Sequence, residues 1–297
     1  MKQGLITALQ WHDDNTCSLL TYHNDYNRIP LTQGENLSFT VTPGRHCIGY
    51  TALTNKQGTK VDSWRTHKPC PDDAQITSGR QCRSCSMMDI MNPCLRCDGS
   101  TCSAHPTVMK ACEENEANVY LAAFKGGRIK AGVSRAQRVR KRWIEQGADI
   151  ARRVLKGNGY KVRQYEQAIQ RQLGLLNHVQ ATSKRTPLTN TEEAIRQLDH
   201  FEEKVHEMYP PETHIHEPPQ NLAPIYNLPL FKSAPLQLRV KDGLQVSGRV
   251  LGVKGPVLYI EMGDLTYTLN LSRLIGRRIE PLEAKIRSQS SIDRYFR

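Results

Sequence analysis

Seven of the nine cysteines in this 297-residue chain, Cys70, Cys82, Cys85, Cys94, Cys97, Cys102 and Cys112, fall in one stretch, with Cys17 and Cys47 upstream. Around them lie Pro, Gly, Asp and Ser with little hydrophobic periodicity. Such a segment cannot bury enough apolar surface to fold alone, so a bound metal is expected to supply the missing core. In a reducing compartment clustered cysteines point to a metal rather than to a disulfide framework. Cys82-x2-Cys85 followed by Cys94-x2-Cys97 aims two pairs of sulfurs at one point, as a tetrahedral zinc with Zn–S bonds of about 2.3 Å requires. The loop between the pairs is short, so the four can instead divide between two sites completed by Cys47, Cys70, Cys102 or Cys112. Iron–sulfur ligation is the main competitor. A redox CxxC lacks the surrounding βαβ pattern. Four thiolates leave no open coordination position, so the expected zinc is structural.

Charge narrows the partner. Lysine and arginine total 41 against 29 acids, a net of +12. Residues 126–163 alone carry twelve basic side chains against Glu145 and Asp149. Residues 191–218 are acidic in turn. This asymmetry favours an anionic partner for the basic stretch, DNA before RNA. Candidate phosphate contacts are Arg128, Arg135, Arg138, Arg140, Lys141, Arg152 and Arg153. No apolar run is long enough to cross a bilayer and no signal-peptide core opens the chain, so no membrane partner and a cytoplasmic location are expected.

Periodicity divides the chain into an α+β arrangement of parts. Residues 1–46 read as short strands, among them Thr16–Tyr22 and Leu37–Val41, and 47–116 form the cysteine module. Residues 117–190 begin with the strand Val119–Phe124, turn at Gly126-Gly127 and return through Arg128–Val133, a hairpin signature. Ser134 is a candidate cap for a helix stopped by Gly147. Residues 150–156 fit a strand or a helical turn. Residues 161–177 carry Val162, Tyr165, Ile169, Leu173 and Leu176 on one helical stripe. Residues 191–235 hold an acidic helix, Thr191–Met208, and a linker with seven of the sixteen prolines. Residues 236–282 alternate as a small β domain, and 283–297 form a polar tail.

The core carries a resemblance. Asn118-Val119-Tyr120, Lys130-Ala131-Gly132, a helix with Arg142 and a later helix with Glu166 resemble a divergent GIY-YIG nuclease module. Val119–Ala122, Ile129–Ser134 and Arg142–Ala148 also resemble an uncharacterised prokaryotic family that has a cysteine-rich segment before such a core and a glycine-rich β segment after it. The likeness spans roughly residues 40–275 and implies that 150–156 is the third strand. It further implies a metal-dependent endonuclease site. Tyr120 would stand near the attacking water, Arg142 (or Arg138 or Arg140) would steady the scissile phosphate, and Glu166 would hold Mg²⁺ or Mn²⁺. Two departures stand out. Asn118 replaces the glycine of the first motif, and Lys130 replaces the tyrosine of the second. A non-catalytic zinc-dependent DNA- or RNA-binding adaptor is the alternative.

At the C-terminus Gln289-Ser290-Ser291-Ile292-Asp293-Arg294-Tyr295-Phe296 resembles the motif by which archaeal and eukaryotic proteins dock on the sliding clamp PCNA. Ile292, Tyr295 and Phe296 fall on one side of a helical turn as an apolar plug, and Gln289 reaches a polar pocket. The resemblance implies an archaeal, nucleoid-associated protein acting in DNA repair or replication. His214-Ile215-His216-Glu217 is a weaker metal candidate in the proline-rich segment.

Overall fold

The computed structural model describes residues 3–54, 64–185, 188, 190–231 and 233–282. Alternating apolar residues build an N-terminal set of strands, β1 (Gly4–Trp11), β2 (Cys17–His23), β3 (Asp25–Pro30) and β4 (Asn36–Val41). A short antiparallel pair, β5 (Tyr50–Leu53) and β6 (Arg65–Lys68), leads into the cysteine module with helices α1 (Arg83–Met88), α2 (Asn92–Leu95) and α3 (Pro106–Glu114). The middle of the chain contains β7 (Glu116–Phe124), β8 (Arg128–Arg135), α4 (Val139–Gln146), β9 (Ile150–Asn158), α5 (Gly159–Leu173) and α6 (Thr191–Met208). Then come β10 (Gln220–Asn221), α7 (Ala223–Tyr226), β11 (Leu236–Leu238), β12 (Gln245–Lys254), β13 (Val257–Met262), β14 (Leu265–Asn270) and β15 (Arg278–Glu280).

The two outer β segments share one sheet. Its nine strands run in the order β11-β14-β13-β12-β4-β15-β1-β2-β3. β4 zips antiparallel to β12 with Phe39 opposite Val246, and β15 lies between β4 and β1. The boundaries read at residues 46 and 236 therefore do not separate sheets. Neither segment closes alone, because β4 and β12 each bury one apolar face that the other's strands extend.

The central unit is a four-stranded sheet in the order β10-β9-β7-β8. β7 pairs antiparallel with both β8 and β9, so residues 150–158 are the third strand. The hairpin forms as read, but Ser134 stays in β8 and caps nothing. A 3₁₀ turn, Ala136–Arg138, precedes α4, and Gly147 ends it in the left-handed conformation at φ 72°. α6 begins where Asn190 accepts a hydrogen bond from the Glu193 amide. The proline-rich stretch is fastened to the sheet, with β10 adding to β9 through Gln220 opposite Ala151.

β7 alternates between two cores. Tyr120, Ala122 and Phe124 face a core shared with Trp143, Trp11, Phe39, Tyr226 and Leu258. Val119, Leu121 and Ala123 face a second core with Val162, Ile169, Leu198 and Val205 from α5 and α6. α4 thus lies between the small sheet and the large one, while α5 and α6 cover the far face.

Candidate metal centre and basic cleft

Four cysteines from three segments meet. The Sγ atoms of Cys47, Cys70, Cys82 and Cys85 all lie within 4.8 Å of one another, with Cys70 and Cys82 4.0 Å apart. A tetrahedron with bonds of about 2.3 Å has sulfur–sulfur edges of about 3.8 Å, so the set fits one tetrahedral ion such as zinc. Each position has a local cause. Cys47 follows His46 along a strand-like run in which the Cys47 amide donates to Ala74 O at 2.8 Å and Ile48 N donates to Arg80 O at 2.9 Å. Gly49, at φ 90°, lets this run pass the end of β6, because a Cβ there would lie 2.0 Å from Lys68 O. Cys70 follows that crossing. Cys82 caps α1, its sulfur accepting from Cys85 N at 3.5 Å, so a CxxC spans the first helical turn. That amide holds the Cys82 thiol below its ordinary range. Burial pushes Cys47 and Cys85 up. A cation would offset that cost by stabilising their thiolates.

The pairing differs from the reading that joined Cys82 and Cys85 to Cys94 and Cys97. Cys94, Cys97, Cys102 and Cys112 gather instead beside α5. Arg163 Nη1 donates to Cys97 O at 3.2 Å, Gln164 Nε2 to Gly99 O at 2.6 Å and the Tyr160 hydroxyl to Ser100 O at 2.7 Å. Cys112 Sγ packs against Gly159, where a Cβ would be 2.6 Å away. Burial raises the Cys94 thiol; Arg163 opposes this, and Cys112, Cys97 and Cys102 add to it. Among the described residues this second quartet is not drawn within 4.8 Å as the first is. Sequence spacing favoured neighbouring CxxC pairs, but the chain's path past β6 makes Cys47 and Cys70 the nearer partners.

Arg142 and Glu166 come within electrostatic reach of each other and of both Tyr120 and Lys130. Burial raises the Glu166 carboxyl against the pull of Lys130, Arg163 and Arg142. Burial also lowers Lys130, with Glu166 opposing and Arg142 reinforcing. Lys130 Nζ donates to Asn177 O at 2.7 Å. The Tyr120 ring lies over Gly132, where a Cβ would stand 2.4 Å from the hydroxyl, so that glycine is fixed by close approach. Trp143 meets the ring edge-on at 6.1 Å. Tyr120 is 0 % exposed, and burial pushes its hydroxyl well above the ordinary range, so it stays protonated.

Lys130 and Arg142 open onto a cleft of about 600 Å³ whose lining includes Arg45, Arg80, Lys184 and Arg273 against one acid, Glu145. Burial lowers Arg45, and the charges of Arg277, Arg273 and Arg80 lower it further, which marks the site as strongly positive. Lys184 is pulled down to about 8 by burial, with Lys130, Arg142 and Lys254 adding to it.

The basic run of residues 126–163 is largely occupied with internal partners. Arg152, nearly buried, pairs with Asp199 and Glu202 of α6. Arg153 grips Glu217 at 2.6 Å. Arg140 reaches Asn15 at 3.1 Å, and Lys141 pairs with Asp13 at 3.1 Å, both in the turn before β2. Arg138 and Arg142 share Glu145 at 3.0 and 3.3 Å. Arg128 donates to Ser183 Oγ at 2.5 Å, and Arg135 ends β8. The added cleft cations Arg45, Arg80, Lys184 and Arg273 come from distant segments, and no local motif distinguishes them. Gln289, Ile292, Tyr295 and Phe296 lie outside the described residues. No helix among the described residues is long and apolar enough to cross a membrane.

No curated protein and no solved structure matches this chain. A family model described as Protein of unknown function (DUF2797) matches residues 34–279, a span that takes in the first cysteine quartet, the central sheet and the part of the large sheet from β4 onward, but not β1–β3, and the chain belongs to that family.

Proposed function

We propose that this chain is a zinc-containing DNA-processing protein with a GIY-YIG-like, metal-dependent endonuclease core, recruited to sites of replication or repair by its C-terminal tail on PCNA. The observation that carries the reading is that Lys130 and Arg142 line a cleft rich in arginine and lysine, with Glu166 within electrostatic reach of both and Tyr120 buried behind them. The antiparallel order β9-β7-β8, with one helix before β9 and another after it, supports the same reading.

In this proposal Arg142 and Lys130 hold the scissile phosphate and offset the charge that grows on it during attack. Tyr120, its hydroxyl enclosed against Gly132, backs the site and holds the sheet behind Arg142 rather than touching the water itself. Glu166 is the protein ligand for Mg²⁺ or Mn²⁺; a single carboxylate suits a hard cation that keeps most of its water. Such an ion supplies Lewis acidity when bound. Zinc on Cys47, Cys70, Cys82 and Cys85 sets the wall that carries Arg45 and Arg80, and a second zinc on Cys94, Cys97, Cys102 and Cys112 fixes the start of α5.

Two observations favour the non-catalytic adaptor. The Tyr120 hydroxyl is fully enclosed, and Lys130 stands where the enzymes carry tyrosine. The deciding experiment offers forked and nicked DNA to purified protein with Mg²⁺ or Mn²⁺. Cleavage that Glu166→Gln abolishes while binding persists supports the nuclease. Binding without cleavage in the native chain supports the adaptor.

A further inference from the structure

α6 ends in a histidine that meets two more from the proline-rich segment. One ring nitrogen from each of His206, His214 and His216 lies within 4.8 Å of the others. The His206 and His214 rings stack with centroids 4.0 Å apart, and His216 meets them edge-on at 4.8 and 5.9 Å.

The hydrogen bonds assign the protons. His206 Nε2 is 3.0 Å from Val154 O, and His214 Nε2 is 2.8 Å from Tyr209 O. A carbonyl oxygen only accepts, so both Nε2 atoms carry hydrogen. In the neutral rings each Nδ1 then keeps its lone pair. This is how metal-binding histidines are held: one ring N–H on a backbone carbonyl fixes the orientation, and the other nitrogen takes the ion.

Two of the nearby acids are occupied. Glu202 pairs with Arg152 and Glu217 with Arg153. Burial lowers His206, charge on His214 and His216 lowers it further, and only the Val154 carbonyl and Glu202 oppose.

We propose that His206, His214 and His216 bind one divalent transition-metal ion of the zinc or nickel class, with His216 as the exposed ligand and water completing the coordination. Three imidazoles suit those ions; Zn–N bonds of about 2.0–2.1 Å need the nitrogens to close to about 3.3 Å and the stacked His206 and His214 rings to tilt so that their lone pairs converge. The ion would staple the segment after α6 to β9, where Ile215 N already donates to Val154 O at 3.0 Å. This site is independent of the nuclease reading and of both cysteine quartets.

The test uses the full chain without a histidine tag, its cysteines loaded with zinc and loosely held metal removed. Calorimetric titration with Zn²⁺ or Ni²⁺ is expected to show one further equivalent. His216→Ala, a surface change that spares the fold, weakens it by at least about 10-fold, the scale on which lost ligand support is felt. Cobalt in this site gives no thiolate charge-transfer band, and its binding shifts the Nδ1 resonances of His206 and His214. Absence of the further equivalent overturns the proposal. So does an equivalent whose affinity is unchanged in both His216→Ala and His206→Gln, since the metal then sits elsewhere.

Discussion

The Lys254 ammonium lies 2.6 Å from Asp149 Oδ1, with 1 % and 3 % of the two side chains exposed. This pair joins the end of β12 in the large sheet to the turn between α4 and β9 in the small one. Asp149 Oδ1 also accepts from Leu188 N at 3.2 Å, and the Asp149 amide donates to Ala123 O at 2.9 Å. The two sheets, and with them the two walls of the cleft, are therefore tied through one buried carboxylate. Lys254→Met leaves that carboxylate enclosed without its cation, and a broken buried pair costs about 3–5 kcal/mol. Urea denaturation followed by tryptophan fluorescence is expected to show that loss. Adding Asp149→Leu recovers part of it, but not all, because the Leu188 amide then loses its acceptor. A single variant as stable as the native chain would mean that the pair does not join the sheets.

Metal content distinguishes the cysteine pairings. Cys47→Ser and Cys85→Ser are each expected to remove the same zinc equivalent, measured by atomic emission on purified protein, and to lower the melting temperature. Cys94→Ser leaves that equivalent in place and removes a different one. If Cys47→Ser keeps full zinc while Cys94→Ser removes the ion that Cys85 holds, the neighbouring CxxC pairs share a site after all.

Phosphate binding in the cleft should depend on both salt and pH. Fluorescence anisotropy with a labelled duplex is expected to give an affinity that falls steeply with ionic strength, and Arg273→Ala lowers the magnitude of the salt slope by about 1. Lys184 is charged below about 8 and neutral above it. An anion favours the charged form, so affinity falls as pH rises from 7 to 9, well before an ordinary lysine would titrate. Lys184→Arg removes that component. A pH profile identical in the native chain and Lys184→Arg would place the phosphates elsewhere.

The tail prediction is separable from the core. Phe296→Ala is expected to abolish capture on immobilised sliding clamp while DNA affinity stays unchanged. Clamp capture at the native level in that variant would end the tail reading.

The central unit was legible because its signals are local. The Gly126-Gly127 turn, the alternation of Val119–Phe124, the stop at Gly147 and the acid-rich start of α6 each lie within a few residues of the element they define. Helix α6 matches its expected span, Thr191–Met208, for this reason. The start of α4 was not legible. Ser134 has the chemistry of a cap, yet its backbone pairs with Asn118 in the β7–β8 ladder, and that pairing took precedence.

By itself the sequence determined the types of chemistry present: thiols spaced for metal, a hairpin–helix unit dense in arginine, and a carboxylate on the following helix. Those follow from residue identity and short-range spacing. Only the tertiary structure decided which groups meet. It joined Cys82 and Cys85 to Cys47 and Cys70 across the β6 crossing, and zipped β4 to β12. It also turned Arg152 and Arg153 inward onto Asp199, Glu202 and Glu217. The physical reason is the same in each case. Buried charges, buried thiols and open strand edges are costly alone, and in this chain their partners lie tens to hundreds of residues away, beyond the reach of any local pattern.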